Sequence, residues 1–314
     1  MILSVSRRTD VPAFYLDWFL NRLKAGEVRV RNPFNPARVS RIALSPDTIE
    51  CIAFWTKHPG PMLDRLDALA PYPYFVQYTL NPYGRKLEAY LPDLDRRVEI
   101  FKRLSERIGK NRVIWRYSPI VVSDRFTADF HRRHFAILAE QLSGYTEQCK
   151  LSFLEMYPKI AGRMHALGVA DGDPEATLAL ARDLAGLARA ANIAPAACGK
   201  PDLSAAGIEL SGCIDAWLVQ RLTGKAMILR KDPGQRRDGC RCVESIDIGA
   251  YQTCLNGCLY CYANHSHASA RRKAAHYDPA SALLCDAEKI DDRVTDRIIR
   301  IHRIEPPTSP LFGF

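Results

Sequence analysis

Two hydrophobic periods alternate along the chain. Residues 2–6 read as a short strand. Asp10 then caps a predicted helix with Pro12 in its first turn, and Leu16, Phe19, Leu20 and Leu23 share one apolar face. Further strands are predicted at residues 51–55, 75–81, 113–118, 151–155 and 193–197. Between them lie a helix carrying Leu94, Val98, Phe101 and Leu104, a helix over 128–142, and a helix through Leu180, Leu184 and Leu187. Strands separated by helical segments of this length predict βαβ units and a parallel sheet. The expected fold is α/β: a parallel (β/α) barrel, partial or near-closed, with a cysteine-rich C-terminal part.

A parallel strand covered on both sides should be apolar nearly throughout. Here Gln77, Thr79 and Asn81 share one side while Val76, Tyr78 and Leu80 share the other, and Arg116 and Ser118 oppose Trp115 and Tyr117. A polar stripe of this kind suits a strand lining a hydrated barrel interior; the alternative is a half-exposed antiparallel strand. Parallel α/β proteins place their chemistry at the C-terminal ends of strands. That edge would present Arg7, Arg8, Asp10, Lys57, His58, Asn81, Ser118 and Glu155. Each has a plainer reading too: Asp10 as a helix cap, Arg8 as its ion-pair partner, Lys57 as surface.

Composition changes this picture only at its edges. The 314 residues are 47% hydrophobic, enough to bury a large core. No apolar run approaches the ~18–20 residues of a membrane span, and the first residues lack the apolar stretch of a secretory signal. The net charge of +9 permits an anionic partner without demanding one. Its basic pairs, Arg7-Arg8, Arg96-Arg97, Arg132-Arg133, Arg236-Arg237 and Arg271-Arg272-Lys273, read first as solvated helical faces and second as a nucleic-acid surface.

Ten cysteines are too dilute for a disulfide scaffold, and most follow residue 197. That clustering points to metal in a reducing compartment, and a cytoplasmic location is expected. Cys254, Cys258 and Cys261 are spaced C-x3-C-x2-C on a loop that follows a predicted strand at 244–249. A helix is expected after Cys261, running through 268–273. Three thiolates are one short of a closed tetrahedral set. Upstream, Cys198, Cys213, Cys240 and Cys242 make one complete ligand set. An auxiliary iron–sulfur cluster is favoured there over structural zinc because of the neighbouring triad. Cys51, Cys149 and Cys285 stand singly and read as buried small hydrophobes. The chain accordingly divides into a barrel core at 1–197, a cysteine-containing insert at 198–243 and a cluster-binding strand–loop–helix with tail at 244–314.

The C-x3-C-x2-C loop, with Tyr260 before its last cysteine, resembles the cluster loop of radical S-adenosylmethionine (SAM) enzymes. More of the chain follows suit. Ser-Val-Ser-Arg-Arg-Thr-Asp10, Phe-Trp-Thr-Lys-His-Pro59, Trp-Arg-Tyr-Ser-Pro-Ile120, Glu-Ser-Ile-Asp-Ile-Gly249 and the Cys254 loop resemble, in that order, a domain family of unknown function. That family's C-terminal cysteines are similar to the radical SAM cluster site. The strand–loop–helix that usually opens a radical SAM barrel comes last here, which implies a circularly permuted barrel with residues 246–248 beside residues 2–6.

The resemblance implies that Cys254, Cys258 and Cys261 hold a [4Fe–4S] cluster whose fourth iron binds SAM. Reductive cleavage would yield a 5′-deoxyadenosyl radical that abstracts hydrogen from substrate, with an electron donor such as flavodoxin or ferredoxin. Tyr260, Gln77, Asn81 and Arg116 are the implied cofactor contacts, and Arg7, Arg8, Asp10 and Glu155 the implied catalytic residues. Ser118 stands where an acidic residue is expected, and no glycine-rich turn for the SAM amino group is visible. A basic barrel mouth would suit an anionic substrate, a nucleotide or nucleic acid, and the loop's Cys-Tyr ending is similar to that of spore photoproduct lyase, which points toward nucleic acid. Two other readings stand beside this one. In the first, a non-catalytic zinc module is completed by His265 or His267. In the second, an iron–sulfur electron-transfer or sensing protein never cleaves SAM.

Overall fold

A computed structural model describes residues 1–169, 172–199, 201–233 and 239–304, so the Arg236-Arg237 pair lies outside the described residues. The first half of the chain runs through β1 (Ile2–Val5), α1 (Val11–Phe14), α2 (Leu16–Ala25), β2 (Glu27–Arg31), β3 (Arg38–Ala43), β4 (Cys51–Thr56), β5 (Tyr74–Thr79), α3 (Leu94–Ile108) and β6 (Val113–Ile120). Next come α4 (Ala128–Leu142), β7 (Gln148–Phe153), α5 (Pro158–His165), α6 (Pro174–Ala190), β8 (Ala194–Ala197) and β9 (Glu209–Leu210). The last elements are α7 (Ala216–Thr223), β10 (Ile246–Asp247), α8 (His267–Ala274) and β11 (Arg293–Asp296). No helix among the described residues is long and apolar enough to cross a membrane.

Eight strands form one parallel sheet in the order β10-β1-β4-β5-β6-β7-β8-β9. As expected, the late strand β10 lies beside β1, with Leu3 opposite Ile246 and Ser4 opposite Asp247. It is shorter than 244–249 because the Asp247 carboxylate turns the chain, accepting from the Gly249 amide at 3.0 Å and from Ser4 and Ser6 hydroxyls across the strand pair. Strand pairing closes no barrel among the described residues, since β9 and β10 remain edges. The segments flanking those edges nevertheless meet: the Val243 amide donates to the Ile214 carbonyl at 3.1 Å.

The two faces of the sheet differ in kind. One carries Leu3, Val5, Phe54, Val76, Tyr78, Trp115, Tyr117 and Leu151 and packs on Phe19, Phe101, Leu104, Phe135, Leu138 and Leu184 of α2, α3, α4 and α6. The other is apolar only at its N-terminal end. There Ile2, Cys51, Ala53, Phe75 and Ile114 are plugged by Leu218 and Val219 of α7. Farther along the same face lie Ser4, Gln77, Arg116 and Lys150, the polar stripe read from the strands. The sheet is thus covered by helices on one face and by a helical plug with polar side chains on the other.

The hairpin β2–β3, joined by β11 in a separate three-stranded sheet, was not anticipated. Its Glu-Val-Arg-Val-Arg run alternates as a strand should, with Val28 buried. Two expectations need correcting. Arg97 is not on a solvated face, being buried on the Glu88 carboxylate at 3.3 Å. Strand β7 starts three residues early and ends at Phe153, which leaves Glu155 beyond it, part-exposed and accepting from the Tyr157 hydroxyl at 3.0 Å.

Candidate metal centres

Cys254, Cys258 and Cys261 lie on the loop between β10 and α8, beyond the C-terminal end of the sheet, and all three are half-buried. The loop is tied down by its backbone. Leu259 N donates to Leu87 O at 2.9 Å, Tyr90 N to Asn256 O at 3.3 Å, and Glu88 bridges Cys258 in antiparallel fashion. Side chains add to this: Asn264 donates to Cys254 O at 2.7 Å, and Asn256 to Asp10 Oδ2 at 2.9 Å. Asp10 also accepts from the Ala13 and Lys57 amides. It is therefore the helix cap it was read as, and a dock for the cysteine loop besides. Burial pushes its pKa above the ordinary aspartate value, against those hydrogen bonds.

Beneath the loop lies a charged cluster that the sequence did not reveal. Glu88, fully buried, receives Lys57 Nζ at 2.8 Å, Arg97 Nη1 at 3.3 Å and the Tyr260 hydroxyl. Burial alone would raise its pKa. Lys57 and Arg97 more than offset that and hold it below the ordinary carboxylate value. Tyr260 is thus a strut between the loop and Glu88. Asn81, also fully buried, braces the same cluster and exchanges hydrogen bonds with the Ser118 backbone.

Two of the triad thiols, Cys254 and Cys258, disfavour ionisation. Burial, then Cys261 and Asp10, push Cys254 up to about 12. Cys258 is raised well above the thiol range by burial, with only Lys57 pulling the other way. A bound cation reverses that sign, because thiolates are the metal-binding form. Among the described residues the three triad sulfurs do not themselves lie within 4.8 Å of one another, and no group at that spacing includes His265 or His267. His265 is exposed, and His267 stacks on Tyr90 at 4.1 Å between ring centroids. A single-ion Cys3His site completed by either histidine is therefore not assembled. Three buried polar atoms around the loop lack a protein partner: Thr9 Oγ1, Asn264 Oδ1 and His267 Nδ1. Three half-buried thiols on one loop, with unpaired polar atoms nearby, fit a metal group larger than a single ion.

The second centre lies on the inner face of the sheet. Cys198, Cys240 and Cys242 are buried with their Sγ atoms all within 4.8 Å of one another, a group able to hold a metal ion. Cys213 touches both Cys198 and Cys242, and its amide donates to Cys242 Sγ at 3.2 Å. S–H donation from Cys198, then from Cys213 and Cys240, pulls the Cys242 pKa down. Trp55 packs against all four. Arg116 Nη1 donates to Cys213 Sγ at 2.9 Å and Gln77 Nε2 to Cys213 O at 2.7 Å. Gln77 and Arg116, two of the four implied cofactor contacts, thus lie against this set. Arg7 and Arg116 lie over the Trp55 ring, and Lys150, buried alongside, donates to Ser211.

Arg7 and Arg8 are not free cations at an open mouth. Arg7 pairs with Asp232 at 3.6 Å and Ser245 at 2.9 Å, and Arg8 lies 3.7 Å from Asp247 and over the Tyr251 ring. Cys51, Cys149 and Cys285 are buried singly, as expected. Two cavities, one beside Tyr74 and Arg112 and one beside Glu50 and Pro73, lie at the N-terminal end of the sheet and border no cysteine.

No curated protein and no solved structure matches the chain. A family model described as a domain of unknown function, DUF1848, matches residues 2–263, nearly the whole described fold, and the chain belongs to that family.

Proposed function

We propose that the protein is an iron–sulfur enzyme of the radical SAM type. The observation that carries this reading is the half-buried cysteine triad on one loop at the C-terminal end of a parallel sheet. Cys254, Cys258 and Cys261 would hold the [4Fe–4S] cluster, which with SAM supplies reductive cleavage of the sulfonium and hydrogen abstraction from substrate.

The chain's own residues position that group. Glu88, Lys57 and Tyr260 clamp the loop from below, and Asp10 fixes Asn256 between the first two cysteines. Thr9, Asn264 and His267 offer unpaired polar atoms toward a bound molecule. The β10–β1 pairing supports a permuted barrel, since it puts the cysteine loop beside the first strand.

The test is anaerobic. Reconstituted, reduced protein is incubated with SAM, and 5′-deoxyadenosine and methionine are measured. Their formation is expected; an intact, reducible cluster that leaves SAM uncleaved would show an electron-transfer or sensing protein instead.

A further inference from the structure

We infer that Cys198, Cys213, Cys240 and Cys242 bind one thiophilic divalent ion, such as zinc, rather than a second iron–sulfur cluster, and that this ion fastens the two edges of the parallel sheet. The inference does not depend on the chemistry at the triad.

Spacing carries the first half. A Zn–S bond of about 2.3 Å at the tetrahedral angle sets neighbouring sulfurs about 3.8 Å apart. Cys198, Cys240 and Cys242 lie within 4.8 Å of one another, and Cys213 touches two of them. A cubane places each thiolate on a different iron and fills the space between with sulfide, so its cysteines stand farther apart. Here the four side chains are 3–6% exposed and pack on each other and on Trp55, which leaves room for one ion. Charge agrees. Four thiolates around a divalent ion carry two net negative charges, and Arg116, with its guanidinium on Cys213, and Arg7, beside Trp55, are placed to balance them.

Topology carries the second half. Cys198 follows β8 and Cys213 follows β9, at one edge of the sheet; Cys240 and Cys242 precede β10 at the other. Among the described residues the hydrogen bonds between these edge segments include Val243 N to Ile214 O and the Cys213 amide to Cys242 Sγ, beside the packing of Ile214 in one apolar cluster with Val243. One ion with ligands from both sides joins strands that share no ladder.

The experiment measures zinc, iron and acid-labile sulfide on the full chain, purified anaerobically, as wild type and as the triple variant Cys254→Ser, Cys258→Ser, Cys261→Ser. The triple variant is expected to keep one metal ion per chain with no sulfide. Cobalt(II) added to it after chelation should give tetrahedral thiolate bands saturating at one equivalent. Adding Cys240→Ser should abolish both signals. If the triple variant does not fold, wild type should still show one ion beyond the iron that its sulfide accounts for. Iron accompanied by stoichiometric sulfide in the triple variant would overturn the inference, as would absence of metal or unsaturable cobalt uptake. Chelation of the triple variant should also speed hydrogen exchange at residues 211–214 and 241–247 at least tenfold while β4–β6 stay protected. Unchanged exchange there would refute the fastening role.

Discussion

The two cysteine sets use one ligand chemistry toward opposite ends. The inner set is drawn from both edges of the sheet and buried against Trp55, with Cys198, Cys240 and Cys242 close enough for a single ion. The triad comes from eight consecutive residues on one loop, half-buried and more widely spaced. Ligands gathered from distant segments close a site and join those segments, whereas ligands from one short loop can leave a face open. The surrounding polar groups follow the same division. Arg116 and Gln77 are spent on the inner set, while Thr9, Asn264 and His267 keep unpaired atoms beside the triad.

The largest expected effect separates the two sets outright. Cys258→Ala should abolish SAM cleavage and remove the iron–sulfur absorption, yet leave the inner site's metal content unchanged. A variant that retains cleavage would show that the inner set holds the catalytic cluster, and the comparison would be inverted. Next in size is Glu88→Gln. Removing one partner of a buried ionic cluster leaves Lys57 and Arg97 uncompensated, which costs about 3–5 kcal/mol in denaturant melts.

The same substitution carries a pH signature. Glu88 has a folded-state pKa below its unfolded value, so its stabilisation is present above the ordinary carboxylate range and lost as pH falls through the folded value. Asp10 has the opposite sign, because burial raises its folded-state pKa; its share grows as pH falls. Acid should therefore destabilise Glu88→Gln less steeply than wild type, and Asp10→Asn more steeply. Parallel slopes for all three proteins below pH 5 would sink this assignment.

Much of this was legible in the residues, and the remainder has a physical reason for being hidden. Strand β5 showed Gln77 and Asn81 on one side, and its inner face is polar as read. The placement of β10 beside β1 followed from the resemblance, which implied a permuted order of strands. Glu88 was invisible, because its importance arises from burial against Lys57 and Arg97, and in sequence it is one carboxylate in a polar loop. Arg97 looked like half of a solvated pair, since nothing local distinguishes it from Arg96, which does face solvent. The partners of Arg7 and Arg8, Asp232 and Asp247, lie over two hundred residues away and were likewise invisible. Long-range charge pairing is what periodicity cannot see.

A smaller effect tests whether Arg116 belongs with the inner set. Arg116→Gln removes the guanidinium that donates to Cys213 Sγ. Groups that orient and neutralise metal ligands are typically worth about 10–100-fold in affinity. Competition with a chromophoric chelator should show zinc weakened by that factor in Arg116→Gln, with partial recovery in Arg116→Lys. SAM cleavage should change far less than zinc affinity does. A cleavage defect with unaltered zinc affinity would move Arg116 back to the role that the resemblance implies for it.

The finest test is at Gly257, between the first two triad cysteines. Its φ of +67° is left-handed, and an added Cβ would sit 2.3 Å from the Tyr90 ring. Tyr90 is exposed and stacks on His267, so the ring can swing away at the expense of that stack. Gly257→Ala should then cost about 1–2 kcal/mol, most of it the left-handed backbone. Adding Tyr90→Ala should recover only the contact portion, and the backbone cost should persist in the double variant. The inner site's metal content should not move in either. If Tyr90→Ala restored full stability, the loop would have adopted another backbone path. The triad's open geometry would then depend on the tyrosine ring rather than on the turn that Gly257 permits.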